Sequence, residues 1–197
     1  MIYINDEIEK ITESELSDII RCLPEWRRVQ MRRFKHLQGQ KECAISYHLL
    51  CQGLRERGHD VLPTFEYGPN GKPVLRELPG VHFNLSHCRV AVACAVSDEE
   101  VGIDIETLGR YKPTLAQHTM NAEELQEIAD ADNPDIAFTR LWTMKEAYAK
   151  LTGEGISTNV RELLSHSSNI IYKTIVNVDK GYVVTMAKRG GSPTLPL

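Results

Sequence analysis

Two short strings in this 197-residue chain gather the residue types that hold hard cations and phosphates. Gly102-Ile103-Asp104-Ile105-Glu106 has the alternation of a strand, so Asp104 and Glu106 point to one side while Ile103 and Ile105 anchor the other. Trp142-Thr143-Met144-Lys145-Glu146-Ala147-Tyr148-Ala149-Lys150 reads as a helix, and it adds Glu146 and Lys150. Neighbouring carboxylates repel each other, and burying them unpaired is costly. A cation between them removes that cost, and Mg²⁺ prefers a few carboxylates plus water and phosphate oxygens to a closed protein cage. Each string also has a plain explanation. Asp104 and Glu106 fit the solvent face of an edge strand, and Glu146 followed by Lys150 fits an i,i+4 pair worth about 0.2–0.5 kcal/mol.

Three further places offer chemistry. Ser86 and His87 follow a strand and present a hydroxyl, an imidazole and backbone N–H groups to an anion. No Gly-x-Ser-x-Gly elbow surrounds Ser86, which argues against a nucleophile. Glu123 stands at a helix start, where the helix dipole stabilises a carboxylate by about 0.3–1 kcal/mol without any further role. Lys72 lies in a turn-rich loop. Between Arg21 and Lys41, Arg21, Arg27, Arg28, Arg32, Arg33, Lys35 and Lys41 face a single acid, Glu25. Such a patch suits a small polyanion, an acidic partner or RNA, or is simply a solvated helix face.

The elements that must position these residues are legible as pattern. Thr12 and Glu15 have capping-box spacing and open a helix over 12–20, which Pro24 interrupts. Residues 25–35 read as a basic helix and 40–57 as a longer one, closed by Gly58. Thr64–Tyr67 and Pro73–Leu75 flank the turn Gly68-Pro69-Asn70-Gly71-Lys72. Val81–Leu85 and the apolar run Val90–Val96 are strands, the second buried on both faces, and Val101–Ile105 follows. Asn121 caps a helix with Glu124 at its third position, and Asn133-Pro134 opens a long helix that reaches Leu151 and closes at Gly153. Ile170–Val178 and Tyr182–Ala187 form a hairpin, and the tail from Arg189 is expected to fray. Helices and strands recur in both halves, which predicts an α+β fold of two subdomains, residues 1–99 and 100–190, with 191–197 a flexible tail.

Bulk properties narrow the classes. Hydrophobic residues make up 42%, enough for a sizeable core, and the net charge of −4 does not favour a nucleic-acid partner. Cys22, Cys43, Cys51, Cys88 and Cys94 are odd in number and lack C-x-x-C spacing, which argues for a reducing compartment over disulfides or zinc. Met1–Glu7 shows no basic region followed by an apolar run, and no apolar stretch approaches the roughly 20 residues of a membrane helix. A cytoplasmic protein without membrane or nucleic-acid partners is expected.

Taken in order, Gly71-Lys72-Pro73, Phe83-Asn84-Leu85-Ser86-His87, the Gly102–Glu106 string and the Trp142–Lys150 string resemble the 4′-phosphopantetheinyl transferases. The resemblance is to the surfactin-synthetase-activating type rather than the short trimeric type, and it covers roughly Pro24 to Leu151. It implies a pseudo-dimer of two similar subdomains, each a small antiparallel sheet packed with a long helix, with the active site between them. It implies Mg²⁺, with Mn²⁺ an alternative, on Asp104, Glu106 and Glu146. Coenzyme A would be held by Arg27, Lys41, Lys72, Ser86, His87 and Lys150, with Cys43 near the 3′-phosphate. Glu123, Lys150 and Glu146 would be catalytic, Glu123 as the base. The implied reaction is that of a holo-acyl-carrier-protein synthase: phosphopantetheine passes to a serine of an apo acyl- or peptidyl-carrier protein and adenosine 3′,5′-bisphosphate leaves. Gln30 stands where the family can carry a lysine, a departure that touches the nucleotide contacts rather than the metal acids. A monomer is expected, because the second half supplies what a second subunit would. The alternatives are a non-catalytic homologue that binds coenzyme A or a carrier, and a Mg²⁺-dependent nuclease or phosphatase.

Overall fold

The structure is a computed structural model that describes residues 1–68, 70–156 and 159–190; the expected tail 191–197 and Pro69 of the hairpin turn lie outside the described residues. The first half contains β1 (Ile2–Asn5), α1 (Glu13–Cys22), α2 (Glu25–Arg32), α3 (Leu37–Glu56), β2 (Phe65–Tyr67), β3 (Pro73–Leu75), β4 (His82–His87) and β5 (Val92–Ser97). The second contains β6 (Val101–Thr107), α4 (Pro113–Thr119), α5 (Ala122–Asp130), α6 (Pro134–Thr152), β7 (Ile170–Asn177) and β8 (Tyr182–Arg189). The fold is α+β, as the pattern predicts.

Caps set the helix starts. Thr12 Oγ1 accepts from the Glu15 amide at 3.3 Å and Glu15 Oε2 accepts from the Thr12 amide at 2.8 Å. Asn121 and Glu124 repeat this at the head of α5, both bonds at 2.9 Å. Asn133 caps α6, Pro134 takes its first position, and Gly153 ends it with φ +75°, a left-handed conformation that favours glycine.

Some elements depart from expectation. β1 was not legible, because four residues carry too little pattern; it exists through pairing with β5, from Ile2 opposite Ala95 to Asn5 opposite Val92. α4 was likewise missed, and α3 begins at Leu37, three residues before the expected start at 40. Ser86 and His87 are the last two residues of β4, not a loop after it.

β5 lies between β1 and β4, all antiparallel, and Val92 to Val96 are fully buried. One face of this sheet packs on α3 through Tyr3, Leu50, Leu54 and Val96. The other presents Ala91, Ala93 and Ala95 to Ile103, Ile105 and Val184 of the second sheet, whose order is β6-β8-β7. The opposite face of β6, carrying Gly102, Asp104 and Glu106, lies under α6. Gly102 permits this approach, since a Cβ there would run into the Ala147 carbonyl oxygen and the Leu151 amide.

Gly102→Ala should therefore push α6 off β6 and destabilise the protein by about 1–3 kcal/mol or more. A urea midpoint unchanged from wild type would contradict the close packing of these two elements.

Candidate active site

β4 and β6 are neighbours joined by side chains. Asn84 Oδ1 accepts from the Ile103 amide at 2.9 Å, and Ser86 Oγ accepts from the Ile105 amide at 3.3 Å. Both are buried, and they stitch the first half of the chain to the strand that carries the acids. Asn84, in the Phe83–His87 string, is a buried amide side chain on a strand, and such a group needs partners of its own.

Ser86 Oγ also donates to Asp104 Oδ1 at 2.9 Å and accepts from Lys150 Nζ at 2.9 Å. Lys150 Nζ donates to Asp104 Oδ1 at 2.7 Å. The hydroxyl has one donor and two acceptor sites, and all three are used. Ser86 is thus a junction rather than a nucleophile. Lys150 reaches across to β6 instead of forming the plain i,i+4 pair with Glu146.

Asp104 is only 4% exposed, and its second oxygen, Oδ2, is buried without a hydrogen-bond partner among the described residues. Glu106 is held by Arg110, Nη1 to Oε1 at 2.6 Å. Glu146 is partly buried, and burial, together with the charge of Asp104, raises its pKa above the usual carboxylate range, with Lys150 opposing. Among the described residues no group of three or more His, Cys, Asp or Glu side chains forms a ready-made metal cage.

Glu146 and Lys150 line a cleft of about 270 Å³ together with Lys72, Asn84, Asn70 and Gly153. Lys72 Nζ donates to the Leu151 carbonyl at 2.8 Å, and burial lowers its pKa. The cleft therefore sits at the C-terminal, partially negative end of α6, with Asp104 behind Lys150. Both of its lysines are already engaged by protein oxygens, Lys72 by the Leu151 carbonyl and Lys150 by Asp104, so a polyanion entering it gains from an added cation. An all-oxygen donor set, an unpartnered Asp104 Oδ2 and a Glu146 carboxylate disfavoured by burial together fit a hard divalent cation that keeps part of its shell for water and phosphate.

The remaining sequence candidates lie elsewhere. His87 is largely exposed, with Nδ1 3.2 Å from Glu42 Oε2. Lys41 Nζ donates to the Ile11 carbonyl at 2.8 Å and more distantly to that of Ile8. Arg27 departs most from the solvated basic face expected of it. It is 6% exposed, packed among Trp26, Tyr47 and Phe65, and donates to Gln30 Oε1 at 2.6 Å and the Cys43 carbonyl at 2.8 Å. Glu123 is exposed on the first turn of α5 and lines none of the cavities around the acids.

Lys145 was overlooked. It is fully buried, its Nζ lies 2.8 Å from Glu124 Oε1, and it donates to the carbonyls of Val160 and Arg161 at 2.9 Å each. It fastens α6 to the capping box of α5.

Residues 100–186 match the family model of the 4′-phosphopantetheinyl transferase superfamily. Over 95 residues the chain is 46% identical to the 4′-phosphopantetheinyl transferase psf-1 of Bacillus pumilus, covering 47% of this chain and 41% of that one. It is 30% identical over 139 residues to the 4′-phosphopantetheinyl transferase Sfp of Bacillus subtilis strain 168, covering 66% and 60%. The chain is similar to the 4′-phosphopantetheinyl transferases. The stretches matched to these relatives span about half of their length, while the ffp transferase of Bacillus subtilis aligns at 26% identity over 94% of this chain and 90% of its own. The superfamily match runs from β6 into β8 and so contains Asp104, Glu106, Glu146 and Lys150, whereas Lys72, Asn84 and Ser86 come from the preceding half. Among the described residues no helix is long and apolar enough to cross a membrane.

Asn84→Ala should leave the Ile103 amide buried without an acceptor and cost about 1–3 kcal/mol. Equilibrium unfolding in urea measures this, and a loss of only a few tenths would mean that the stitch carries little of the contact between β4 and β6.

Proposed function

We propose that the chain transfers the 4′-phosphopantetheine group of coenzyme A to a serine of an apo acyl- or peptidyl-carrier protein, leaving adenosine 3′,5′-bisphosphate. The observation that carries this reading is the meeting of Glu146 and Lys150, both within the superfamily match, with Lys72 of the preceding half in one cleft, and Asp104 bonded to Lys150 beside it. We read residues 1–99 and 100–190 as two subdomains that each contribute one wall, in a chain that acts as a monomer in the cytoplasm.

Asp104, Glu146 and Glu106 would hold Mg²⁺ or Mn²⁺. When bound, the ion would supply positive charge to the diphosphate in a cleft whose own lysines are already engaged by protein oxygens. Lys150 and Lys72 add further charge to the phosphates, and Lys150 offsets the charge that develops on the leaving bisphosphate. Ser86 keeps Lys150 and Asp104 in register, so positioning is achieved before the substrate arrives. His87, Lys41 and the surrounding basic residues would face the nucleotide end. Arg27 would act there through the packing of α2 on α3, since its guanidinium is enclosed.

The chemical step forms a bond from the carrier serine oxygen to the phosphorus bearing the pantetheine arm. The bond from that phosphorus to the bridging diphosphate oxygen breaks, and its electron pair leaves with the bisphosphate. The serine proton passes to a carboxylate. Glu146 lies in the cleft, but as a ligand of the ion it is committed to the cation rather than to the proton. Glu123 stands at an exposed helix start and would serve if the docked carrier covers α5.

Incubation with Mg²⁺, coenzyme A and a panel of apo carriers should raise the intact mass of at least one carrier by a single phosphopantetheine. If no carrier gains that mass, the assignment fails. Asp104→Ala should abolish the gain while the chain stays folded. Glu123→Gln should lower kcat by about 10²–10⁴-fold with coenzyme A affinity little changed; an equal loss in both would argue against a base role for Glu123.

A further inference from the structure

Arg110 is the one cation at the site for which the proposed reaction has no use. It follows β6 in a short loop, and its guanidinium holds Glu106 at 2.6 Å. Its placement is fixed from both sides. Gly109 turns the chain at φ +88°, and Asp135, in the first turn of α6, accepts from the Gly109 amide through Oδ2 at 2.6 Å and from the Tyr111 amide through Oδ1 at 3.0 Å. The Tyr111 ring packs on Phe138 with centroids 5.7 Å apart. One carboxylate thus clamps both amides that flank Arg110, and the anchored loop presents the side chain to Glu106. A small cavity lined by Glu106, Arg110, Phe138, Thr139 and Trp142 adjoins the pair.

The three acids are met by two protein cations that differ in how firmly they are held. Lys150 is mostly covered and bonded to both Asp104 and Ser86. The Arg110 side chain is 53% exposed, and Glu106 is the one side chain that it bonds among the described residues. A divalent ion drawing on Glu106 has to compete with the more weakly held of the two.

We propose that Arg110 is a built-in counter-ion of Glu106 that competes with the divalent cation and thereby sets the metal affinity of the site. This rests on the metal reading above. With Arg110 in place, the acids remain partly neutralised by the protein itself, and metal occupancy requires the guanidinium to swing away toward solvent. The Asp135 clamp determines how often the guanidinium returns.

The test is titration of the full-length protein with Mn²⁺ alone, free ion being read from its electron paramagnetic resonance signal, with Mg²⁺ as competitor. Arg110→Gln should tighten Mn²⁺ binding by about 3- to 10-fold, the range for removing one partly exposed charge next to a divalent ion. Arg110→Lys should stay near wild type, and Asp135→Asn should shift in the direction of Arg110→Gln. Unchanged or weaker binding in Arg110→Gln, with a wild-type site that Asp104→Asn destroys, would overturn the proposal alone. Equal titrations of wild type and Asp104→Asn would remove the metal site and the proposal with it.

Discussion

A carboxylate nearly enclosed by protein must be met by positive charge or by hydrogen bonds, and Asp104 is so enclosed beneath a long helix and near two other acids. One of its oxygens is satisfied twice, by Lys150 and Ser86, and the other has no hydrogen-bond partner among the described residues. Those two partners come from α6 and β4. The electrostatics of a single side chain therefore fix how a helix of the second half and a strand of the first half stand relative to β6. Gly102 permits the same arrangement sterically, two residues earlier on the strand.

This explains why the two halves are joined in the way they are. Ala91, Ala93 and Ala95 give a flat, dry contact between the sheets but little that would specify register. Asn84 and Ser86 supply it, each accepting from an amide of β6. The residues that make the proposed phosphate cleft are thus also residues that make the junction. Cleft and junction would be lost together, because a buried polar network that is only partly satisfied is worse than none.

Much of this was legible in the sequence where local rules decide. The capping boxes of Thr12 and Asn121, the Pro134 start and Gly153 stop of α6, and the doubly buried strand β5 all follow from side-chain chemistry within a few residues. β1 and α4 were not legible, since β1 is held by pairing with β5 and is too short to show a pattern. The strand side shared by Asp104 and Glu106 was readable from alternation; the destination of Lys150 was not, because local spacing favoured Glu146 and the preference for buried Asp104 arises only once β6 lies under α6. Arg27 shows the same limit from the other direction. Its neighbours suggested a solvated basic face, and the aromatic side chains of α2, α3 and β2 enclosed it. Lys145 and Arg110 could not be given partners, as Glu124 and Glu106 meet them only through the packing of α5 and the turn after β6.

The central claim is that the acids around Asp104 make the cleft depend on a divalent cation before it accepts a diphosphate. Calorimetric titration of coenzyme A into the protein, with Mg²⁺ and then with excess chelator, tests this directly, with Asp104→Asn run alongside. The account predicts binding that is strong with Mg²⁺, at least tenfold weaker with chelator, and insensitive to Mg²⁺ in Asp104→Asn, a tenfold change corresponding to about 1.4 kcal/mol. Equal affinity for coenzyme A with and without Mg²⁺ in the wild-type protein would contradict it.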